Sequence, residues 1–110
     1  MKILTLNGSF RGERGYTRIL IDHLLAGAQE LGAETEILHL AKMKINHCLG
    51  CNHCQPDDQS GAAGAAGLSP CVFNEKDDVA LIYEKMAAAD LIIYASPIYV
   101  FDISSLLKSV

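Results

Sequence analysis

At 110 residues, the chain is long enough for one domain with a single core, and half of its residues are apolar. Its net charge of -4, with no cluster of basic residues, argues against a surface that binds nucleic acid or anionic membranes. No apolar run reaches the roughly 20 residues of a membrane span, and the opening run is too short for the core of a signal peptide. We therefore expect a cytoplasmic protein, whose clustered cysteines bind metal or serve redox chemistry rather than form disulfides.

The first half of the chain predicts a strand, a helix and a second strand. An apolar strand at 3–6 runs through residues 7–9 toward a helix over 17–31, which Gly32 stops. One face of this helix is marked by residues at three- and four-residue steps, namely Ile19, Leu20, His23, Leu24, Gly27, Ala28 and Leu31. Residues 34–40 alternate as a more polar strand, which we expect near an edge of the sheet.

The second half predicts a helix, a strand and one more helical turn after a long loop. That loop, 41–74, carries all four cysteines, and its stretch 60–67 contains only Ser, Gly and Ala, so we expect it to be mobile. The aspartate pair at 77–78 can cap the helix. Its predicted buried face comprises Val79, Ile82, Tyr83, Met86 and Ala89. Residues 91–95 form an unbroken apolar strand, and 104–108 begin the last turn.

This alternation of strands and helices is typical of an α/β fold with a parallel sheet that is covered by helices on both faces. In such sheets, ligands bind beyond the carboxyl ends of the strands, at the point where the strand order reverses. We therefore expect the functional residues in the loops that follow the first and the third strand.

The loop after the first strand has the residues of an anion site. Gly8 permits a tight turn, Ser9 and Thr17 offer hydroxyl groups, and Arg11 offers a planar fork of donors just before a helix N-terminus. These residues suit a phosphate, although a glycine-rich turn with solvated arginines is the alternative. The loop is neither a G-x-G-x-x-G dinucleotide motif nor a P-loop, which disfavours a Rossmann dehydrogenase and a nucleoside triphosphatase.

The loop after the third strand, 96–102, is apolar and aromatic. Its backbone amides could bond the polar edge of a flat ligand while Tyr99 or Phe101 packs against the ligand's face. The alternative is an apolar corner or a subunit contact. A phosphate loop and a loop for a flat ring at neighbouring strand ends predict a mononucleotide such as FMN.

The stretch 47–54, HCLGCNHC, contains three cysteines at C-x-x-C-x-x-C spacing: Cys48, Cys51 and Cys54. Such thiols can hold an iron–sulfur cluster, a disulfide or no group at all. They can also hold zinc, together with one of His47, His53 or Cys71, since thiolate and imidazole suit that metal.

Three motifs in this order resemble the flavodoxin-like NADPH-dependent FMN reductases, especially the branch that includes the iron–sulfur flavoproteins. The motifs are the opening strand with Gly8-Ser9-Phe10-Arg11 and Thr17, the cysteine motif, and Ser96-Pro97-Ile98-Tyr99 with the downstream Ser104 and Leu107-Lys108. The resemblance covers the whole chain except the glycine–alanine insert. It implies a flavodoxin-like three-layer sandwich, of which residues 1–110 are the N-terminal portion with three strands.

The resemblance also implies site residues. The FMN phosphate would be held by Ser9, Arg11 and Thr17, with Tyr16 standing where the family usually has Asn. The isoalloxazine and ribityl groups would be bordered by Ser96, Pro97, Ile98, Tyr99, Val100 and Phe101. Phe101 stands where the family often has Gly. In the iron–sulfur branch a fourth cysteine follows after a short gap, so a [4Fe–4S] cluster here would take Cys48, Cys51, Cys54 and, across a longer loop, Cys71.

These features predict an FMN-binding oxidoreductase that passes electrons from NAD(P)H through FMN to an acceptor such as a quinone, free flavin or an iron–sulfur centre. The flavin supplies the chemistry, so we nominate no catalytic side chain. An electron carrier without a pyridine-nucleotide step is the alternative, and a cofactor-free metal-binding or interaction module is the third hypothesis. We expect a homo-oligomer, with no nucleic acid and no membrane among its partners.

The third strand has the composition of a central strand. In flavodoxin-like sheets the strand order is 2-1-3-4-5, so this strand has neighbours on both sides. The chain supplies no fourth or fifth strand, and an exposed apolar edge invites pairing with other chains. We therefore predict that residues 1–110 belong to a longer protein, or that another chain covers this edge.

Overall fold

Three strands and three α-helices alternate along the residues that the computed structural model describes, which are 1–51, 71, 73 and 75–110. In chain order they are β1 (Lys2–Asn7), α1 (Tyr16–Glu30), β2 (Glu34–His39), α2 (Val79–Ala88), β3 (Leu91–Ala95) and α3 (Ser105–Lys108). Short 3-10 helices precede α1 at Gly12–Arg14 and follow β2 at Leu40–Lys42. The insert 60–67, predicted to be mobile, lies outside the described residues. No helix among the described residues is long and apolar enough to cross a membrane.

The described strands form one parallel sheet in the order β2-β1-β3. This confirms the predicted parallel α/β architecture and the place of β2 at an edge. In the register, Asn7 at the end of β1 lies between His39 of β2 and Ala95 of β3. The carboxyl ends of all three strands therefore meet at one edge of the sheet, as the sequence predicted.

Helices cover both faces of the sheet because successive residues of β1 point to opposite sides. Leu4 and Leu6 face α2 and α3, in a core cluster with Leu40, Ile82 and Leu107. On the other face, Ile3 packs against α1 in a cluster with Ile21 and Leu25. The result is the predicted three-layer sandwich.

The predicted face of α1 packs on the sheet only at Ala28. The buried residues are Ile21 and Leu25, whereas Leu20 and Leu24 of the predicted stripe are exposed, as is His23. Both stripes are apolar and recur every four residues, so periodicity alone cannot decide between them. In the described residues the sheet covers one stripe and leaves the other on the surface.

The aspartates before α2 act differently from the predicted cap. Asp78 stands at the N-cap position without a side-chain cap bond, and it is Asp77 whose Oδ1 accepts from the backbone N–H of Val79, at 3.1 Å. The other oxygen of Asp77 accepts from Asn46 N, and Asp78 Oδ2 accepts from Lys44 N, at 3.0 and 2.7 Å. The two aspartates thus tie the start of α2 to the chain that leads into the cysteine motif.

The predicted buried face of α2 is partly confirmed. Ile82 is fully buried, and Met86 and Ala89 pack against the same core cluster. Tyr83 was predicted to be buried but is exposed at 40%. Its hydroxyl donates to the carbonyl oxygen of Val110, 2.8 Å away at the protein surface. This hydrogen bond keeps the ring partly exposed.

Candidate functional site

The ends of β1 and β3 lie in direct contact through Gly8. Its N–H donates to the carbonyl oxygen of Ala95 at 2.8 Å. Gly8 also packs tightly on the start of α3, where a Cβ atom would lie 2.6 Å from both Leu107 Cγ and Ser104 Oγ. Because this position carries no side chain, the loops after β1 and β3 can form one continuous surface.

Residues 8–17, which comprise the loop between β1 and α1 and the first two residues of α1, are called the phosphate loop below. The buried side chain of Asn7 shapes this segment. Asn7 Oδ1 accepts from the N–H of Ser9 at 3.0 Å, and Asn7 Nδ2 donates to the carbonyl oxygen of Gly12 at 3.2 Å. Gly12 adopts φ of 55°, in the left-handed region, and its N–H returns to Ser9 O at 3.0 Å. The turn is therefore held from inside by one amide group.

The phosphate loop presents several groups that suit an anion. Gly15, the residue before α1, provides no side-chain cap for the N–H groups of the first turn, where the helix dipole is positive. The hydroxyl oxygen of Ser9 accepts from Arg11 N at 3.3 Å. A Cβ on Gly15 would lie 2.8 Å from that oxygen, so the hydroxyl lies beside the helix N-terminus.

Of the residues predicted from sequence to hold a phosphate, Ser9 is buried and Thr17 is half-buried in this loop. Arg11 is exposed, and within the described residues its guanidinium makes no ion pair or hydrogen bond. Tyr16 is the first residue of α1, and its side chain is exposed. The loop thus offers a hydroxyl, an unpaired guanidinium and helix N–H groups at one end of α1.

The loop after β3, residues 96–103, is called the aromatic loop below, and internal hydrogen bonds shape it. The hydroxyl of Ser96 donates to Pro97 O at 2.7 Å and accepts from Ser104 N at 2.9 Å, so this predicted ligand-binding hydroxyl is engaged inside the protein. Two backbone bonds between Tyr99 and Asp102, at 2.9 and 3.0 Å, close a tight hairpin. The loop is therefore a defined structure that displays its tip.

Two residues at the tip of the hairpin have left-handed backbones. Val100 has φ of 49° and Phe101 has φ of 63°, a conformation that costs about 1–2 kcal/mol for a residue with a side chain. Their side chains are 92% and 101% exposed. The backbone angle of Phe101 also explains why glycine suits this position. Backbone strain of this kind is concentrated at active sites and ligand clamps, so the tip is a candidate for ligand contact.

The two loops touch through their aromatic rings. The ring centroids of Phe10 and Tyr99 are 6.2 Å apart, with the planes tilted by 35°. Phe10 comes from the phosphate loop and Tyr99 from the aromatic loop, and both rings are exposed. The two loops therefore bring groups that suit an anion beside two aromatic rings.

His39, the last residue of β2, also belongs to this region. Its side chain is only 11% exposed. Its Nδ1 lies 3.1 Å from Asn7 Nδ2, and its Nε2 lies 3.1 Å from Arg18 Nη1. Burial and the adjacent positive charge of Arg18 hold the pKa of His39 below its usual value. Its position at the carboxyl end of β2 was the signal that could have identified it.

Charged side chains surround His39 on the solvent side. Glu13 pairs with Lys42 at 3.1 Å, and its Oε1 lies 4.0 Å from His39 Nε2. The hydrogen bond and the charge of Lys42 lower the pKa of Glu13. Arg18 is held by Asp22, one helical turn along, at 2.6 Å. This network joins the end of β2 to the phosphate loop and to α1.

The described part of the cysteine motif, residues 47–51, lies at the surface, with His47 beside the end of α3. Cys48, Cys51 and Cys71 are exposed, and His47 Nδ1 lies 3.4 Å from Ser109 Oγ. Cys54 is outside the described residues. Among the described residues, no group of three or more His, Cys, Asp or Glu side chains is arranged to hold a metal ion. The four-cysteine ligand set therefore stays a prediction.

Several curated proteins are similar to this chain over almost its whole length. An iron–sulfur flavoprotein of Methanocaldococcus jannaschii is 38% identical over 98% of this chain and 49% of its own length. One from Archaeoglobus fulgidus is 31% identical over 99% of this chain and 46% of its own. An FMN-dependent NADH:quinone oxidoreductase of Methylocella silvestris is 29% identical over 99% and 52%. The chain thus spans about half the length of the curated relatives it matches.

A crystal structure of RosB with a bound 8-demethyl-8-formylriboflavin-5'-phosphate intermediate superimposes with a TM-score of 0.72. It covers 99% of this chain and 40% of that one at 23% sequence identity, which supports the fold. The sequence profile of the family described as NADPH-dependent FMN reductase matches residues 1–110. The chain therefore belongs to the NADPH-dependent FMN reductase family of flavodoxin-like oxidoreductases, in its iron–sulfur flavoprotein branch.

Proposed function

We propose that this chain binds FMN across the phosphate loop and the aromatic loop, and that it serves an oxidoreductase that takes electrons from NAD(P)H. The observation that carries the proposal is the contact between Phe10 and Tyr99, which joins an anion-binding loop to an aromatic one. Membership of the FMN reductase family and the names of its flavin-dependent relatives support the same ligand.

The residues of the site fit such a ligand. Ser9, Arg11, Thr17 and the N–H groups at the start of α1 would hold the phosphate. The backbone of the aromatic loop and the side chains of Tyr99 and Phe101 would border the ring and exclude water from one side of it. When bound, FMN would supply the redox chemistry, which is hydride and electron transfer between NAD(P)H and an acceptor.

The test of the FMN site compares Arg11→Ala with Arg14→Ala. Both arginines are exposed and lie in the same loop. The backbone N–H of Arg11 donates to the hydroxyl of Ser9, whereas Arg14 lies in the last turn of the 3-10 helix. We expect Arg11→Ala to weaken FMN binding by about 1–3 kcal/mol, the range for a hydrogen bond to a charged group. Arg14→Ala should have a much smaller effect.

Fluorescence titration with FMN and with riboflavin measures this difference. Riboflavin lacks the phosphate, so Arg11→Ala should change its affinity far less. Equal losses for the two ligands would remove Arg11 from the site, and absence of flavin binding by the wild-type protein would favour the cofactor-free interaction module.

The second candidate function is an electron carrier without pyridine-nucleotide oxidation, which the iron–sulfur flavoprotein names of the relatives favour. Steady-state oxidation of NADH and NADPH by the FMN-loaded protein separates the two, because a carrier shows none. The acceptor, a homo-oligomeric state and the cytoplasmic location stay predictions.

A further inference from the structure

The side chain of Asn7 is fixed in one orientation by the phosphate loop. Its Oδ1 must be the atom facing Ser9, because Ser9 presents an N–H, and its Nδ2 must face Gly12, because Gly12 presents a carbonyl oxygen. The second N–H of the same amide is then directed at His39 Nδ1, 3.1 Å away. His39 Nδ1 has to offer a lone pair to accept it.

That requirement determines where the proton of His39 lies. A neutral imidazole with a lone pair on Nδ1 carries its proton on Nε2. The Nε2 atom faces Arg18 Nη1 at 3.1 Å and the carboxylate of Glu13 at 4.0 Å. Arg18 Nη1 can only donate, so donors face both ring nitrogens and a neutral ring can accept from just one of them. Arg18 is partly exposed and already paired with Asp22, so its N–H can turn to solvent, whereas the fully buried Asn7 amide cannot. The guanidinium also opposes a positive charge on the ring. We assign the Nε2–H tautomer on these grounds.

We infer that neutral His39 is a positioning residue that holds the phosphate loop in its anion-binding shape through Asn7, so that FMN binding weakens when His39 is protonated. The inference rests on the proposed function for its FMN part only. Protonation places a second donor opposite the Asn7 amide, which then loses its acceptor while it remains fully buried. The amide that organises Ser9 and Gly12 is thereby released from its anchor on β2.

The charges around His39 act in both directions. Burial opposes protonation of His39, and so do the positive charges of Arg18 on α1 and Lys42 on the 3-10 helix after β2. The carboxylates of Glu13 and Asp22 favour protonation. Burial is the largest cause, and the pKa of His39 in the folded protein is lowered. The unfolded chain therefore binds more protons, so His39 favours the folded state above about pH 6.5, and this stability is lost as pH falls through the lowered pKa.

Two substitutions separate the roles of the ring. His39→Asn keeps an oxygen acceptor near the position of Nδ1 but does not titrate, and His39→Phe keeps the ring shape but removes the acceptor. At pH 8, His39→Phe should bind FMN about tenfold more weakly than the wild type, since a buried donor is left unpaired. His39→Asn should stay within about threefold of the wild type because the bond from Asn7 is retained.

The pH profile is the readout that a merely structural role would not change. Between pH 8 and 5.5, FMN affinity should fall more steeply for the wild type than for His39→Asn. The phosphate of FMN, whose second pKa is about 6, contributes equally to both proteins and sets the baseline. Identical pH profiles for these two proteins would overturn the inference, as would undiminished FMN affinity in His39→Phe.

A measurement without flavin keeps this test apart from the FMN proposal. Nitrogen-15 NMR of the His39 ring should show the proton on Nε2, and hydrogen exchange of the Ser9 amide should be faster in His39→Phe but not in His39→Asn. A protein that binds no flavin refutes the proposed function while these two readouts still decide the role of His39. If His39→Phe does not fold, the wild-type tautomer and the His39→Asn profile decide. A proton on Nδ1 would refute the inference.

Discussion

Gly8 lies where the phosphate loop meets α3, and the absence of a side chain permits that contact. An added Cβ would lie within 2.6 Å of two side-chain atoms of α3 and its cap, closer than real contacts allow. Gly27 offers a matched position, because it lies inside α1 and its added Cβ would meet nothing within 4 Å. Replacing each glycine with alanine therefore distinguishes the steric need for glycine at position 8 from the general destabilising effect of glycine in a helix.

We predict that Gly8→Ala lowers the free energy of unfolding by about 1–3 kcal/mol, the usual cost of overpacking. Gly27→Ala should raise it by about 0.5–1 kcal/mol, because alanine favours a helix interior. Urea denaturation followed by circular dichroism measures both. Equal stabilisation by the two substitutions would show that the loop and α3 are not tightly packed.

At the scale of elements, the hairpin in the aromatic loop has the wrong residues for its turn. Two successive left-handed residues are characteristic of the turn that Asn-Gly favours, yet the chain places Val100 and Phe101 there. Because strained backbone is concentrated at ligand-binding sites, we propose that these exposed side chains contribute to FMN binding. Relieving the strain should therefore raise stability and weaken FMN binding at the same time.

We predict that Val100→Asn combined with Phe101→Gly raises the free energy of unfolding by about 1–2 kcal/mol through relief of strain. The same change should weaken FMN binding, because the apolar tip is lost. Ile98→Gly is the control, since Ile98 is also exposed and apolar but has no left-handed backbone. It should not gain stability in thermal unfolding. A stabilised hairpin with unchanged FMN affinity would exclude the tip from the flavin site.

The cysteine motif is the second element whose role can be tested. If Cys48, Cys51, Cys54 and Cys71 hold a [4Fe–4S] cluster, anaerobically purified protein should contain about four iron atoms and as much acid-labile sulfide per chain. Cys48→Ser should abolish both without removing FMN, and Cys71→Ser tests the distant ligand separately. One zinc per chain, or no metal after anaerobic reconstitution, would contradict the cluster.

At the scale of the whole molecule, two apolar surfaces lie uncovered in the described residues. The strand β3 is at an edge of the sheet, with Leu91 and Tyr94 exposed, and α1 exposes Leu20 and Leu24. Flavodoxin-like sheets continue beyond their third strand, and the curated relatives are about twice as long as this chain. We propose that further strands of a longer chain, or a second copy, cover the edge of β3.

We predict that residues 1–110 alone self-associate, because an open apolar strand edge pairs with other chains. Tyr94→Lys should reduce the association, since lysine on an edge strand blocks pairing and this side chain is already exposed. Leu24→Lys places the same charge on the exposed surface of α1. Comparing the two variants shows whether the edge of β3 or the surface of α1 drives the association. Multi-angle light scattering gives the masses. A stable wild-type monomer that binds FMN tightly would show that this portion suffices.

Much of the architecture followed from the sequence by itself. The order of elements, the parallel sheet and the site at its carboxyl end depend on apolar periodicity and on turn residues such as Gly8, which act over a few neighbours. The branch of the family followed from three motifs in order. Such local patterns can be read from the sequence even when the tertiary contacts between segments are unknown.

The tertiary structure decided what depends on segments distant in sequence. It selected the stripe of Ile21 and Leu25 over the equally periodic stripe of Leu20 and Leu24, because the helix rotates to match the sheet beneath it. It also set His39 opposite Asn7, since the register between β1 and β2 makes neighbours of residues 32 positions apart. Periodicity carries no information about that register, so the proposed control of the phosphate loop by His39 could be inferred only from the folded protein.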